Sequence, residues 1–179
     1  MSTSAAARAF SHLALSVGDL DAMAAFYVDA FGFEQGPTYQ SAGRRLAGMM
    51  ECEASGFRGV FLRSGEFLLE LLQYIDDSAP AQSPRRAAEH GLAHISFVVD
   101  DVDAAVAKVE KAGGQLRTRL DHRFVGPGQS VIVMCLDPEG NRIELISHPD
   151  AAEGDAHAAY LGLAELGWPA RDVVDGSGP

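Results

Sequence analysis

The chain has 179 residues, 47% of them hydrophobic and 22% charged, which suits one globular domain or two small modules that share a core. Its 25 acidic residues against 14 basic ones give a formal net charge of −11, a mean field that repels phosphates and so disfavours nucleic acid and anionic membrane as partners. A small molecule is the expected partner. The opening MSTSAAARAF lacks the apolar stretch of a secretory signal, and no run approaches the roughly 20 apolar residues that span a bilayer, so the expected location is the cytoplasm. Cys52 and Cys135 form no CxxC or zinc-knuckle spacing and read as reduced core or strand residues.

After an N-terminal arm, residues 1–9, the first ordered element is the segment from His12 to Val17. Its alternation places His12, Ala14 and Ser16 on one face and Leu13, Leu15 and Val17 on the other, the pattern of a half-buried strand. Asp19 or Asp21 then caps a helix through Ala22, Ala25, Phe26 and Ala30, which Gly32 ends. Strands follow over Phe57–Arg63 and Phe67–Tyr74, separated by a turn at Ser64-Gly65. The interval from Gly36 to Gly56 holds one further strand and a loop carrying Arg44 and Arg45. The Asp/Ser/Pro-rich stretch Asp76–Arg86 reads as a linker, which divides the chain into modules at 10–77 and 91–149 around residues 78–90. In the second module a strand over His94–Val99 leads to a helix through Val102, Val106 and Val109. Asp100 or Asp101 starts that helix and Gly113-Gly114 ends it. The strands Ser130–Leu136 and Arg142–Ile146 flank the turn Asp137–Asn141. Residues 150–179 carry one short apolar stretch, AAYLGLAELGW, read as a small helix ahead of a flexible tip.

The two modules repeat one another. HLALSVGDLDAMAAF from His12 lies over HISFVVDDVDAAVAK from His94, and GEFLLELL from Gly65 lies over GNRIELIS from Gly140. The alignment pairs His12 with His94 and Glu70 with Glu144. Glu70 must point opposite to Leu69 and Leu71, and Glu144 opposite to Ile143 and Leu145. An ionised carboxylate inside an apolar strand is costly to desolvate without a partner, and two at equivalent places point to a shared cation. Two imidazoles with two carboxylates suit Zn, Ni, Co, Mn or Fe(II) better than Ca or Mg. His90, His122, His148 and His157 have no repeat partner and receive no role.

The segments HLALSVGDLDAMAAFY, AHISFVVDDVDAAV and DPEGNRIELI resemble those of the vicinal oxygen chelate superfamily, which includes glyoxalase I, methylmalonyl-CoA epimerase, extradiol dioxygenases and fosfomycin or bleomycin resistance proteins. The resemblance covers about Phe10 to His148. It implies an α+β fold in which two βαβββ modules form a curved, incomplete eight-stranded barrel. It also implies a divalent metal held by His12, Glu70, His94 and Glu144 on the first, fourth, fifth and eighth strands, and often a homodimer. The ligand set is similar to that of bacterial glyoxalase I, whereas epimerases more often carry glutamine in the place of Glu70. Two positions depart from glutathione-binding members, because Ser16 stands where those carry arginine and Tyr74 where they carry asparagine. The second acid/base carboxylate of the best-matched epimerases would align near Gly59, with Glu51 and Glu53 in the preceding loop as the candidates to replace it.

The resemblance implies a lyase or isomerase that chelates adjacent oxygens of a carbonyl or thioester substrate and moves a proton through an enediolate or enolate. Glu144 is the expected base and Glu70 the second carboxylate. Two other classes share the scaffold. An Fe(II) extradiol dioxygenase would use His12, His94 and Glu144 as a facial triad, which the extra carboxylate of Glu70 opposes. A non-catalytic binding or resistance protein would use the same cleft but is expected to lose the ligand set that this chain keeps. The arginines at Arg44-Arg45, Arg85-Arg86 and Arg117–Arg123 read first as solvated surface groups and second as anchors for an anionic tail. The turn Gly126–Gly128 reads as a plain hairpin turn as well as a possible anion nest.

Overall fold

The computed structural model describes residues 7, 9–43, 48–51, 54–75, 88–117, 124–125 and 131–147. Arg44, Arg45, Cys52, Glu53, residues 76–87, the 126–128 turn and the C-terminal extension lie outside the described residues.

The first half runs β1 (Leu13–Ser16), α1 (Leu20–Phe31), β2 (Glu34–Gln35), β3 (Tyr39–Ala42), β4 (Gly56–Ser64) and β5 (Phe67–Ile75). The second half repeats the order as β6 (Ile95–Val98), α2 (Val102–Lys111), β7 (Gln115–Leu116), β8 (Phe124–Val125), β9 (Val131–Leu136) and β10 (Arg142–Ser147). Each half builds a five-stranded mixed sheet. β1 pairs parallel with β5 and β6 with β10, while the remaining pairs are antiparallel. The fold is α+β, with curved open sheets and no closed barrel among the described residues.

Local chemistry accounts for the helix ends. Asp19, rather than Asp21, caps α1 by accepting the Ala22 amide at 3.0 Å, and Asp21 turns instead to Arg58 at 3.2 Å. Asp101 repeats the cap on α2 through the Ala104 amide at 3.0 Å. Gly32 closes α1 at φ 69°, a left-handed conformation that a Cβ would strain. The strand expected between Gly36 and Gly56 is β3, and the short β2 precedes it, with Gly36 to Thr38 between the two. The Gly36 amide still donates to Phe61 O, yet Tyr39 stands opposite Gly59, so Pro37 and Thr38 together face Val60. That is a β-bulge, which adds one residue to the outer strand.

One apolar core joins the halves. α1 buries Leu20, Met23, Ala24, Phe26, Tyr27 and Ala30 at helical spacing, and α2 buries Val102, Ala105, Val106 and Val109. The two helices pack on each other, and each lies on its own sheet. Leu69, Leu71, Ile143 and Leu145 are fully buried beneath them, and Phe31 stacks on Phe97 at 4.4 Å across the halves. Polar contacts lock the same seam. The Glu139 carboxylate accepts from the amides of Gly18 and Asp19 at 2.9 Å, meeting the positive end of α1. The buried Tyr27 hydroxyl donates to Asp137 Oδ2 at 3.1 Å, and Asp137 also accepts from Asn141 and from the Glu139 amide. Among the described residues no helix is long and apolar enough to cross a membrane.

Burial, and the neighbouring carboxylate of Asp137, hold the Tyr27 phenol well above its usual ionisation range. A group whose proton is held more tightly in the folded chain contributes stability below its unfolded pKa of about 10 and loses it as pH rises further. Denaturant titrations above pH 10 are therefore expected to show a falling unfolding free energy. Tyr27→Phe should remove about one proton from that slope, ~1.4 kcal/mol per pH unit, while costing ~1–2 kcal/mol at neutral pH for the lost buried hydrogen bond. An unchanged alkaline slope would show that Tyr27 ionises as easily in the folded chain as in the unfolded one.

Candidate metal centre

The strand alternation turns one face of each sheet to the helices and leaves the other to carry the polar residues. On the first sheet this second face holds His12, just ahead of β1, and Glu70 at the middle of β5, beside Phe61 of β4. His12 Nε2 lies 3.2 Å from Glu70 Oε2, with the imidazole 36% and the carboxylate 14% exposed. The other oxygen, Oε1, accepts from the Tyr39 hydroxyl of β3. The His12 ring stands edge-on to Phe61 at 5.5 Å, and Tyr39 stacks on Phe61 at 5.8 Å.

The second sheet repeats the arrangement with different supports. His94 lies just ahead of β6, with its Nε2 3.8 Å from Glu144 Oε2 of β10, and the side chains are 38% and 13% exposed. Glu144 Oε2 accepts from Ser96 Oγ at 2.6 Å. Ser96 stands directly opposite Glu144, and its counterpart in the first sheet, opposite Glu70, is Ala14. Each carboxylate thus faces one histidine and one hydroxyl donor, although the hydroxyls come from different strands.

The four expected residues therefore form two pairs. Among the described residues no group of three or more His, Cys, Asp or Glu side chains gathers where one ion would touch them all, so the pairs do not meet within one chain. The spacing of the first pair fits a divalent ion. Two ligands about 2.1 Å from a common centre at about 90–110° stand roughly 3.0–3.4 Å apart, which matches the first pair and falls a little short of the second. Ser11 Oγ lies 2.9 Å from His12 Nδ1. The tautomer with Nδ1–H donating to Ser11 directs the Nε2 lone pair at the Glu70 side.

The neighbouring groups have settled protonation states. Burial, followed by the hydrogen bond to Glu70, raises the Tyr39 phenol far above its usual range, so it remains a donor. Burial pushes the Cys135 thiol up to about 11, which keeps this core cysteine an inert thiol at neutral pH. Gly59 lies on β4 and offers no carboxylate, and Glu51 is exposed on its loop. Ser16 is exposed and Tyr74 packs edge-on to Phe57 at 6.0 Å. Tyr39 and Ser96 are the residues that sequence reasoning missed. Only the offset of Ser96 two residues after His94, on the same strand face, offered a local signal.

Comparison with known proteins agrees with the fold. Residues 9–145 match the model of the Glyoxalase/Bleomycin resistance protein/Dioxygenase superfamily. The chain is 32% identical over 135 residues to the uncharacterized protein YaeR of Escherichia coli, covering 75% of this chain and 92% of that one. It is 28% identical over 159 residues to the lactoylglutathione lyase of Haemophilus influenzae, covering 80% and 95%. A glyoxalase family protein of Bacillus cereus shares the fold at a TM-score of 0.69 and 15% identity, covering 82% of this chain and 98% of that one. The fosfomycin resistance protein FosX of Listeria monocytogenes, crystallised with Mn(II) and sulfate, shares it at 0.51 and 18% identity, covering 79% and 93%. The chain belongs to the glyoxalase/bleomycin resistance protein/dioxygenase superfamily.

Proposed function

We propose that this protein is a divalent-metal-dependent lyase or isomerase of the glyoxalase or epimerase type, acting on a small carbonyl or thioester compound with two neighbouring oxygens. The observation that carries the reading is the repetition, in both sheets, of a mostly buried carboxylate turned to a histidine Nε2. Relatives named lactoylglutathione lyase and a structural neighbour holding Mn(II) support the same chemistry.

His12, Glu70, His94 and Glu144 would hold Zn, Ni or Co, with Mn or Fe as further candidates. A divalent ion in that set polarises adjacent substrate oxygens and acidifies the neighbouring C–H bond. Glu144 is the residue that takes this proton onto a carboxylate oxygen and returns it to the adjoining carbon or to the opposite face. The Ser96 hydroxyl fixes the orientation of that carboxylate, and its burial excludes competing water. Glu70 serves as the second carboxylate. With Ser16 and Tyr74 in place of the arginine and asparagine of glutathione-binding members, the substrate is a different thiol adduct, a thioester or an unrelated carbonyl compound.

The pairs stand apart within a chain, so the working unit is a homodimer in which His12 and Glu70 of one subunit meet His94 and Glu144 of the partner subunit. The aromatic cluster of the first site face, with Phe61 36% exposed, and Val98 at 39% on the second suit such a contact.

Metal analysis of untagged protein is expected to find about one ion per chain, absent from both His94→Ala and Glu70→Ala; wild-type protein that neither carries nor takes up metal would overturn the reading. Mixing His12→Ala with His94→Ala subunits tests the dimer, because a mixed pair rebuilds one intact site. Metal binding should return, up to one ion per mixed dimer, whereas sites confined to single chains would stay empty. Against the substrate found among 2-oxoaldehyde adducts and 2-acyl thioesters, Glu144→Gln should lower kcat by roughly 10²- to 10⁴-fold. Unchanged turnover in that variant would remove Glu144 from the proton transfer.

A further inference from the structure

Aligning the two halves strand by strand shows where the repeat has been rebuilt around Glu70. Ser96 stands opposite Glu144 and donates to it, whereas Ala14 stands opposite Glu70 and has no hydroxyl to give. On the far side, Phe61 opposite Glu70 corresponds to Met134 opposite Glu144. Two residues earlier on the same strands, Gly59 corresponds to Ile132. Across from those stand Tyr39 and Phe124. The first half therefore carries Ala14, Gly59 and Tyr39 where the second carries Ser96, Ile132 and Phe124.

These three differences act together. Tyr39 reaches Glu70 only by lying flat over β4, stacked on Phe61. A Cβ at Gly59 would collide with the Cζ and the hydroxyl of Tyr39, so the absence of a side chain there is what seats the ring. The hydroxyl then occupies Glu70 Oε1 and leaves Oε2 as the oxygen beside His12 Nε2. We propose that Tyr39, seated on Gly59, is the positioning residue for Glu70, replacing from β3 the hydroxyl that Ser96 supplies to Glu144 from β6.

This assignment rests on the reading of Glu70 as a metal ligand. A hydroxyl that fixes a ligand carboxylate typically contributes a factor of 10–100 to metal affinity. Tyr39→Phe keeps the stacked ring and removes only the oxygen, so the metal-free melting temperature should change little. Calorimetric titration of the metal-free dimer with Co(II) alone is the measurement. Tyr39→Phe should raise the Co(II) dissociation constant roughly 10- to 100-fold, and Gly59→Ala, which displaces the ring, should raise it to a similar extent. Adding Ala14→Ser to Tyr39→Phe installs the second half's solution and should restore at least about fivefold of the loss, within that same range. Wild-type affinity in Tyr39→Phe overturns the assignment while leaving the metal site standing, and so does a loss that Ala14→Ser does not repair. Wild-type protein that binds no Co(II) overturns the metal reading itself, and this assignment with it.

Discussion

The two-residue period of the β-strand is the constraint on which the rest of the molecule depends. Leu69 and Leu71 on β5, and Ile143 and Leu145 on β10, are fully buried against the helices. Burying four such side chains contributes on the order of 6–12 kcal/mol before entropy is counted. A slip of one residue would expose all four and drive Glu70 and Glu144 into the helix layer, where a lone carboxylate costs several kcal/mol. Packing thus fixes the register, and the register delivers the two carboxylates to the opposite face. The core and the candidate site are two sides of the same strands.

The halves are joined by a seam of helices and of one turn, with no strand of one sheet paired to the other among the described residues. The turn Asp137–Asn141 holds itself closed through Asp137 and presents Glu139 to the start of α1. One acidic residue of the second half thus stabilises a helix of the first, while the aromatic pair Phe31 and Phe97 fills the seam beside it. This tie sets the orientation of the two sheets within a chain. It also leaves each face carrying a histidine–glutamate pair free of the helices.

Much of this was legible in the sequence, because the signals concerned are local. Asp19 and Asp101 hold corresponding places in the repeat and cap corresponding helices, and Gly32 marks a helix end by its φ of 69°. Alternation within residues 67–75 and 142–147 sufficed to place Glu70 and Glu144. The choice between Asp19 and Asp21 was settled at the helix start itself, where Asp19 is extended and Asp21 lies in the first turn, as Asp101 and Asp103 do in α2. Glu139 and Asp19 are 120 residues apart, and no periodicity announces such a contact. Tyr39 escaped for a related reason, as its role depends on a glycine two strand positions from Glu70 and on a break in its own strand. The separation of the two histidine–glutamate pairs is likewise a property of how the modules pack and not of either module's pattern.

The bulge at Pro37 and Thr38 has a consequence for how this scaffold can change over time. Regular pairing continued from Gly36 at the present chain length would set Tyr39 opposite Arg58, facing α1, whereas the bulge absorbs the surplus residue and returns Tyr39 to Gly59. Loss of either Pro37 or Thr38 would close the bulge into regular pairing and leave Tyr39 opposite Gly59. A change of length here is taken up in the bulge, so the wall of the site beyond it is preserved. An outer strand tolerates this because only one neighbour constrains it, so β3 is the place where the two copies of the repeat were freest to part company.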